Sequence, residues 1–307
     1  MDPEGLLHEV EKMASTGDSY WFRSLSGRMV DLERAIVWCN ENNSDTGIKI
    51  SSSIWRYWLY YGYVNRGVEI LDASISASNK EGKSMGGALL GLGILHLKQG
   101  NLDLAESCLH KSISIARDNE YFALVGVCTV MLSRVHTDRG DFKLARKLID
   151  ESEGISIDDS DYRSRALSLH AKAYNMRISG NIDGAVRAYE RAIQIYREYG
   201  DERRTIDEMR NLGTAKFLLG DFEGASSLLQ HVSNHRESGI PYFDAYYLID
   251  DAIMALIGGE LVNAENLVDL AEESVLRCEQ NVDPDEEIIV RFVRRVSQEG
   301  GSEFHEA

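Results

Sequence analysis

Apolar residues recur along this chain at the three- and four-residue steps of a helix, and the runs come in pairs. Leu89, Leu92, Gly93, His96 and Leu97 form one stripe, and Leu102, Ala105, Leu109, Ser112, Ile113 and Ala116 form the next. Gly100 stands between them. The second stripe of such a pair is clearest after Gly180, where Ile182, Ala185, Val186, Tyr189, Ala192, Ile193 and Tyr196 make one wide apolar face that Gly200 and Asp201 end. The predicted unit is therefore two antiparallel helices meeting at a glycine. The glycine takes the left-handed backbone that ends the first helix, and Asn101 or Asp141 is expected to cap the start of the second.

The unit repeats. Gly62, Gly100, Gly140, Gly180, Gly220 and Gly259 lie at intervals of 38, 40, 40, 40 and 39 residues. Five of them are followed, five positions on, by Ala105, Ala145, Ala185, Ala225 or Ala264, while Gly62 to Gly67 is a degenerate sixth block. An alanine at that place allows close helix approach. A fixed period of roughly 20–50 residues marks a stacked-repeat protein, in which each unit buries its apolar face only against its neighbours.

Leu92-Gly93 with Gly100 and Ala105, Leu212-Gly213 with Gly220 and Ala225, and Ala185 with Tyr189 and Ala192 resemble tetratricopeptide repeats. The resemblance implies an all-α, right-handed superhelical solenoid of antiparallel helix pairs, with a period near 40 residues against about 34 for the common repeat. Capping helices are expected over 1–47, six helix-pair repeats over 48–280, a closing helix over 281–299 and a disordered tail over 300–307. Pro241 and Pro284 are expected in first helical turns. Residues 31–38, 54–58 and 66–71 also resemble the start of the repeat region in large bacterial transcriptional regulators with an NTPase switch. No recognisable NTPase or DNA-binding module accompanies them, so that similarity implies a detached sensory or scaffold portion, or a separate product of similar origin.

Composition narrows the function. The chain has 307 residues, 43% of them hydrophobic and 27% charged, and a net charge of −17. That balance suits a packed globular protein and argues against general affinity for nucleic acid or anionic membrane, both of which need clustered Lys and Arg. No apolar run approaches the ~18 residues of a membrane span and no leader pattern opens the chain, so a cytoplasmic location is expected. Cys39, Cys108, Cys128 and Cys278 are scattered, as reduced packing residues would be.

Catalytic and cofactor signatures are weak, and the chain reads as a non-enzyme with no cofactor and no metal. Ala77 to Ser84, with Lys83, satisfies a loose phosphate-loop pattern but follows a helix instead of a strand, and reads as an inter-repeat turn. His231 and His235 read as exposed histidines at a helix end, and His96 and His136 as packing residues with a satisfied ring nitrogen. Asp158, Asp159 and Asp161 are expected to cap helices in a turn, and Asp250 with Asp251 to open an apolar helix where partial burial is open to them. The aromatic stretch Trp55, Tyr57, Trp58, Tyr60, Tyr61 and Tyr63 reads as a bulky core for the first repeat.

In proteins with this resemblance the first helices line a concave groove, which places groove positions 13, 10, 6, 3 and 2 residues before each ladder glycine. Among those thirty positions stand Lys49, Arg56, Lys98, Arg134, Arg177 and Arg210 against Asp138 and Asp207. Tyr60, His170, Tyr174 and Tyr246 share them. An excess of cations inside an acidic protein suits a protein or peptide partner carrying an acidic segment or a terminal carboxylate, because Arg binds carboxylate bidentately. The expected role is a binding scaffold in bacterial regulatory signalling, with a ligand- or peptide-sensing domain that controls a transcriptional regulator as the alternative. The sequence names neither the partner nor the oligomeric state.

Overall fold

A computed structural model describes residues 2–15, 21–155, 162–236 and 239–299. Helices account for nearly all of them. Two helices, α1 (Pro3–Ala14) and α2 (Met29–Asn42), flank a 3-10 turn at Trp21–Leu25. Six helix pairs follow: α3 (Ser44–Tyr61) with α4 (Val64–Ala77), α5 (Lys83–Lys98) with α6 (Leu102–Asp118), and α7 (Phe122–Asp138) with α8 (Phe142–Ile155). The remaining pairs are α9 (Tyr162–Ile178) with α10 (Ile182–Glu198), α11 (Glu202–Leu218) with α12 (Phe222–His235), and α13 (Pro241–Ile257) with α14 (Leu261–Arg277). A last helix, α15 (Pro284–Gln298), closes the described chain. Both Pro241 and Pro284 open their helices, where a missing N–H is no loss.

Every ladder glycine has a positive φ, from 75° at Gly100 to 86° at Gly180. A side chain there would be driven against the following carbonyl, so the spacing of left-handed turns sets the spacing of helix pairs. Gly62 carries a second constraint, because a Cβ on it would lie 2.8 Å from the Cα of Cys278. The alanines five residues on, Ala105, Ala145, Ala185, Ala225 and Ala264, are all fully buried. Seven residues before the glycines stand Gly93, Ser133, Ala173, Gly213 and Ala252, and a Cβ on Gly213 would meet Leu229 at 2.7 Å. Small side chains on facing helices thus let each pair pack closely.

Capping differs in detail from the sequence expectation. Asp141, Asn181, Asp201 and Asp221 do accept a backbone N–H three residues on. Asn101 does not; its amide instead donates to Gln99 Oε1 at 3.2 Å. Residues 78–82 form the turn between α4 and α5, with Lys83 beginning α5 after a helix. The expected caps at Asp158, Asp159 and Asp161 and the expected tail over 300–307 lie outside the described residues.

The stack bends far enough for its ends to meet. Tyr60 of α3 stacks on Phe243 of α13 at 5.2 Å and meets Tyr242 edge-on at 5.0 Å. The segment after α14 then straps the two ends together. Gln280 donates to the Leu59 carbonyl at 2.9 Å, the Asn281 N–H to the Lys98 carbonyl at 2.8 Å, and the Asn65 N–H to Glu279 at 2.7 Å. The two carbonyls belong to last helical turns, which have no partners of their own. Helix α15 buries Ile289, Val290, Val293 and Val296 against α13 and α14.

Candidate functional site

The first helices of the pairs face one interior, and the groove offsets bring four cations from four successive repeats onto one acidic segment. Lys98 of α5 reaches Asp283 at 2.5 Å and Arg134 of α7 reaches it at 2.9 Å. Arg177 of α9 pairs with Asp285. Arg210 of α11 holds Glu286 at 2.8 Å and Asp250 of α13 at 3.4 Å. Asp283 occupies the capping position of α15, yet its carboxylate makes no capping bond. It turns instead to the two cations and to the Tyr246 hydroxyl, which donates to it at 2.6 Å.

The electrostatics follow from this geometry. Burial alone would raise the Asp283 carboxyl, but Arg134 and Lys98 outweigh it and hold it below the ordinary carboxylate range. Asp250 goes the other way. Burial pushes it up to about 8 despite Arg210, with Glu286 adding to the rise, because one guanidinium faces two carboxylates. Asp138 is also raised by burial, Arg134 opposing, and accepts the Tyr174 hydroxyl at 2.7 Å. The four cations from α5, α7, α9 and α11 are therefore matched by the chain's own acids.

The other groove residues fall into two groups. Tyr174 and Tyr246 are buried, with Arg134 and Arg210 over their rings at 4.5 and 4.7 Å. His170 faces Glu208 at 3.0 Å. Lys49 lies apart, paired with Asp45 at 3.1 Å on the surface. Arg56 and Tyr60 line a concave cavity of about 560 Å³ with Trp21, Trp55, Met131 and Leu167. Its size lies within the range of small-ligand sites, roughly 300–1,000 Å³. The acidic segment forms part of the wall, and Arg204 and Asp207 of α11 complete the polar lining.

Of the other residues singled out, Asp250 and Asp251 stand elsewhere than expected and most of the rest stand where expected. Asp250 and Asp251 sit in the middle of α13, Asp250 buried against Arg210 and Asp251 paired with Arg236 at 2.8 Å. His96 is buried with Nδ1 lacking a hydrogen-bond partner, and burial lowers its pKa; His136 lies 3.6 Å from Glu106. His231 and His235 are exposed and stack at 4.3 Å. Trp55, Tyr57 and Trp58 are core, whereas Tyr63 is about half exposed. Sequence reasoning missed Asp283, Asp285 and Glu286 as groove residues, although an acidic run at a helix start was visible. Among the described residues no group of three His, Cys, Asp or Glu is placed to hold a metal, and no helix is long and apolar enough to cross a membrane.

Two tetratricopeptide-repeat family models match, at residues 87–119 and 162–238. The chain carries tetratricopeptide repeats. Solved structures share the tetratricopeptide-repeat solenoid over its whole length at low identity. A Rap protein complexed with competence and sporulation factor superposes with a TM-score of 0.61 at 10% identity, covering 99% of this chain and 98% of that one. The tetratricopeptide-repeat sensor protein of the signal transduction ATPase class from Pyrococcus horikoshii gives 0.60 at 14% identity, over 97% of this chain and 42% of that one. Aspartyl phosphate phosphatase F from Bacillus subtilis gives 0.55 at 8% identity, over 94% and 83%. No curated protein sequence matches the chain significantly.

Proposed function

We propose that this tetratricopeptide-repeat protein is a non-enzymatic, cytoplasmic scaffold that binds a protein or peptide in its concave cavity, within bacterial regulatory signalling. The observation that carries the reading is the cavity itself, walled in part by the acidic residues Asp283, Asp285 and Glu286 and lined by aromatic and apolar side chains interleaved with charged ones. The nearly full-length likeness to a Rap protein complexed with a factor supports it at the level of fold. The acidic residues 283–286 occupy the cationic ladder, so a partner engages the half of the cavity near Arg56, Tyr60 and His170 instead. Residues 48–280 are the repeat array in this proposal, with 1–47 and 281–299 as its caps.

The second reading is a sensor domain for a regulator, favoured by the contact of the two ends, whose spacing a ligand would change. Affinity capture separates these from an inert solenoid. Met131→Trp and Leu167→Trp fill the cavity from two helices and are expected to abolish capture of a partner that the wild type retains. Equal recovery by wild type and both variants, all folded, removes the cavity from the account.

A further inference from the structure

Arg56 is anomalous among the cavity cations. Lys98, Arg134 and Arg210 each hold a carboxylate of the acidic segment or of α13, and Arg163 lies 3.5 Å from Asp201. Arg204 also has an interaction of its own. Arg56 has no hydrogen bond and no carboxylate among the described residues; its guanidinium lies over the Trp55 ring at 4.4 Å and faces the cavity. The charged groups of α11 on the cavity wall give it no partner. Arg204 repels it, and Asp207 is paired with Arg203 at 3.7 Å. Burial lowers the Arg56 pKa, with the Tyr60 hydroxyl only partly compensating.

Arg56 is partly buried, and a guanidinium drawn partly out of water without an anion gives up hydration that an aromatic face replaces only in part. In a chain with 50 acidic and 33 basic residues, leaving one interior arginine unmatched while its neighbours are matched marks a place for an anion from outside. The surroundings define the rest of that ligand. Trp21, Trp55, Tyr60, Met131 and Leu167 offer apolar and aromatic walls.

We infer that Arg56 anchors an organic carboxylate with an apolar body, bound in the cavity between α3 and α11. The inference rests on the proposed use of the cavity and names the chemistry it selects. The carboxylate takes two guanidinium N–H donors, and the apolar body lies on the aromatic walls. A short apolar peptide with a free C-terminus and a free aromatic or aliphatic acid present the same chemistry.

Calorimetric titration tests this with three acids, 4-phenylbutyrate, decanoate and N-acetylated trileucine, each beside its uncharged amide, and with phenyl phosphate as a competing anion. Wild type is expected to bind at least one acid about tenfold or more tightly than its amide, as a bidentate charged contact implies. The tightest acid distinguishes a chain terminus from a small metabolite. Arg56→Gln is expected to erase the acid–amide difference, and its ligand-free melting temperature to equal or exceed that of wild type, since an unmatched charge is gone. Arg56→Lys retains part of the preference. Equal binding of acids and amides, a preference that survives Arg56→Gln, or binding of phenyl phosphate alone overturns the inference. If partner capture is still lost in Met131→Trp while no acid is preferred, the carboxylate inference fails and the cavity reading stands; if neither is seen, both fail.

Discussion

Replacing Asp283 by Asn removes one charge from the centre of the strap while keeping the shape of the side chain and an acceptor for the Tyr246 hydroxyl. The wild-type carboxylate is 12% exposed and meets Lys98, itself 5% exposed, at 2.5 Å and Arg134 at 2.9 Å. Without it two buried cations face one another. Removing one partner of a buried ion pair costs about 3–5 kcal/mol, and the contact of Lys98 with the Tyr246 hydroxyl at 3.4 Å places the expected loss near the lower end. A loss of about 3 kcal/mol corresponds to roughly 10²-fold more frequent opening. Because repeat arrays open locally, the effect is read by hydrogen exchange at residues 279–298 and the ends of α5 and α7, beside a thermal melt. Adding Lys98→Met is expected to return part of the loss, since the two side chains interact directly. The pH dependence has a definite sign. Asp283 is held below its unfolded value of about 3.9, so its contribution is complete above that pH and is lost as pH falls through the folded value. The gap between wild type and variant is therefore constant from neutral pH down to about pH 5 and closes only in acid. Unchanged exchange and melting in Asp283→Asn would refute the reasoning.

Asp250 is raised to about 8, so stability due to its neutral form is complete below its unfolded value and declines as pH rises through the folded one. Asp250→Asn is expected to flatten the fall in melting temperature between about pH 4 and pH 8, and an unaltered slope there counts against the shared-guanidinium account. Gly140→Ala meets nothing within 4 Å, so its cost is backbone strain at φ 83°, about 1–2 kcal/mol by urea unfolding. A neutral result contradicts the left-handed turn. Ala185→Leu, at a fully buried contact between α9 and α10, is expected to destabilise by about 1–3 kcal/mol, and a stabilised variant contradicts close packing there.

The repeat framework was legible in the sequence because its causes are local and periodic. Left-handed glycines, small contact residues and helical stripes each recur with the period; position alone pointed Lys98, Arg134, Arg177 and Arg210 inward but misplaced Lys49, which pairs with Asp45 on the surface. What escaped lies far apart in the chain. Lys98 and Asp283 are 185 residues distant, and no local pattern announces that the stack bends enough to join them. The run from Asp283 to Glu287 looked like an ordinary acidic first turn of a helix, which it also is. Asp250 was misplaced because its charge suggested a helix start, whereas Arg210 makes its burial tolerable inside α13. Arg56 was readable as a groove position, but its lack of a partner is a property of the assembled cavity.

The concave cavity as the binding site is tested most directly by hydrogen exchange with and without a captured partner. Slowed exchange is expected in the cavity-lining helices α3, α7, α9 and α11, with the outer helices α4, α6 and α12 unchanged. Protection confined to those outer helices would contradict the account.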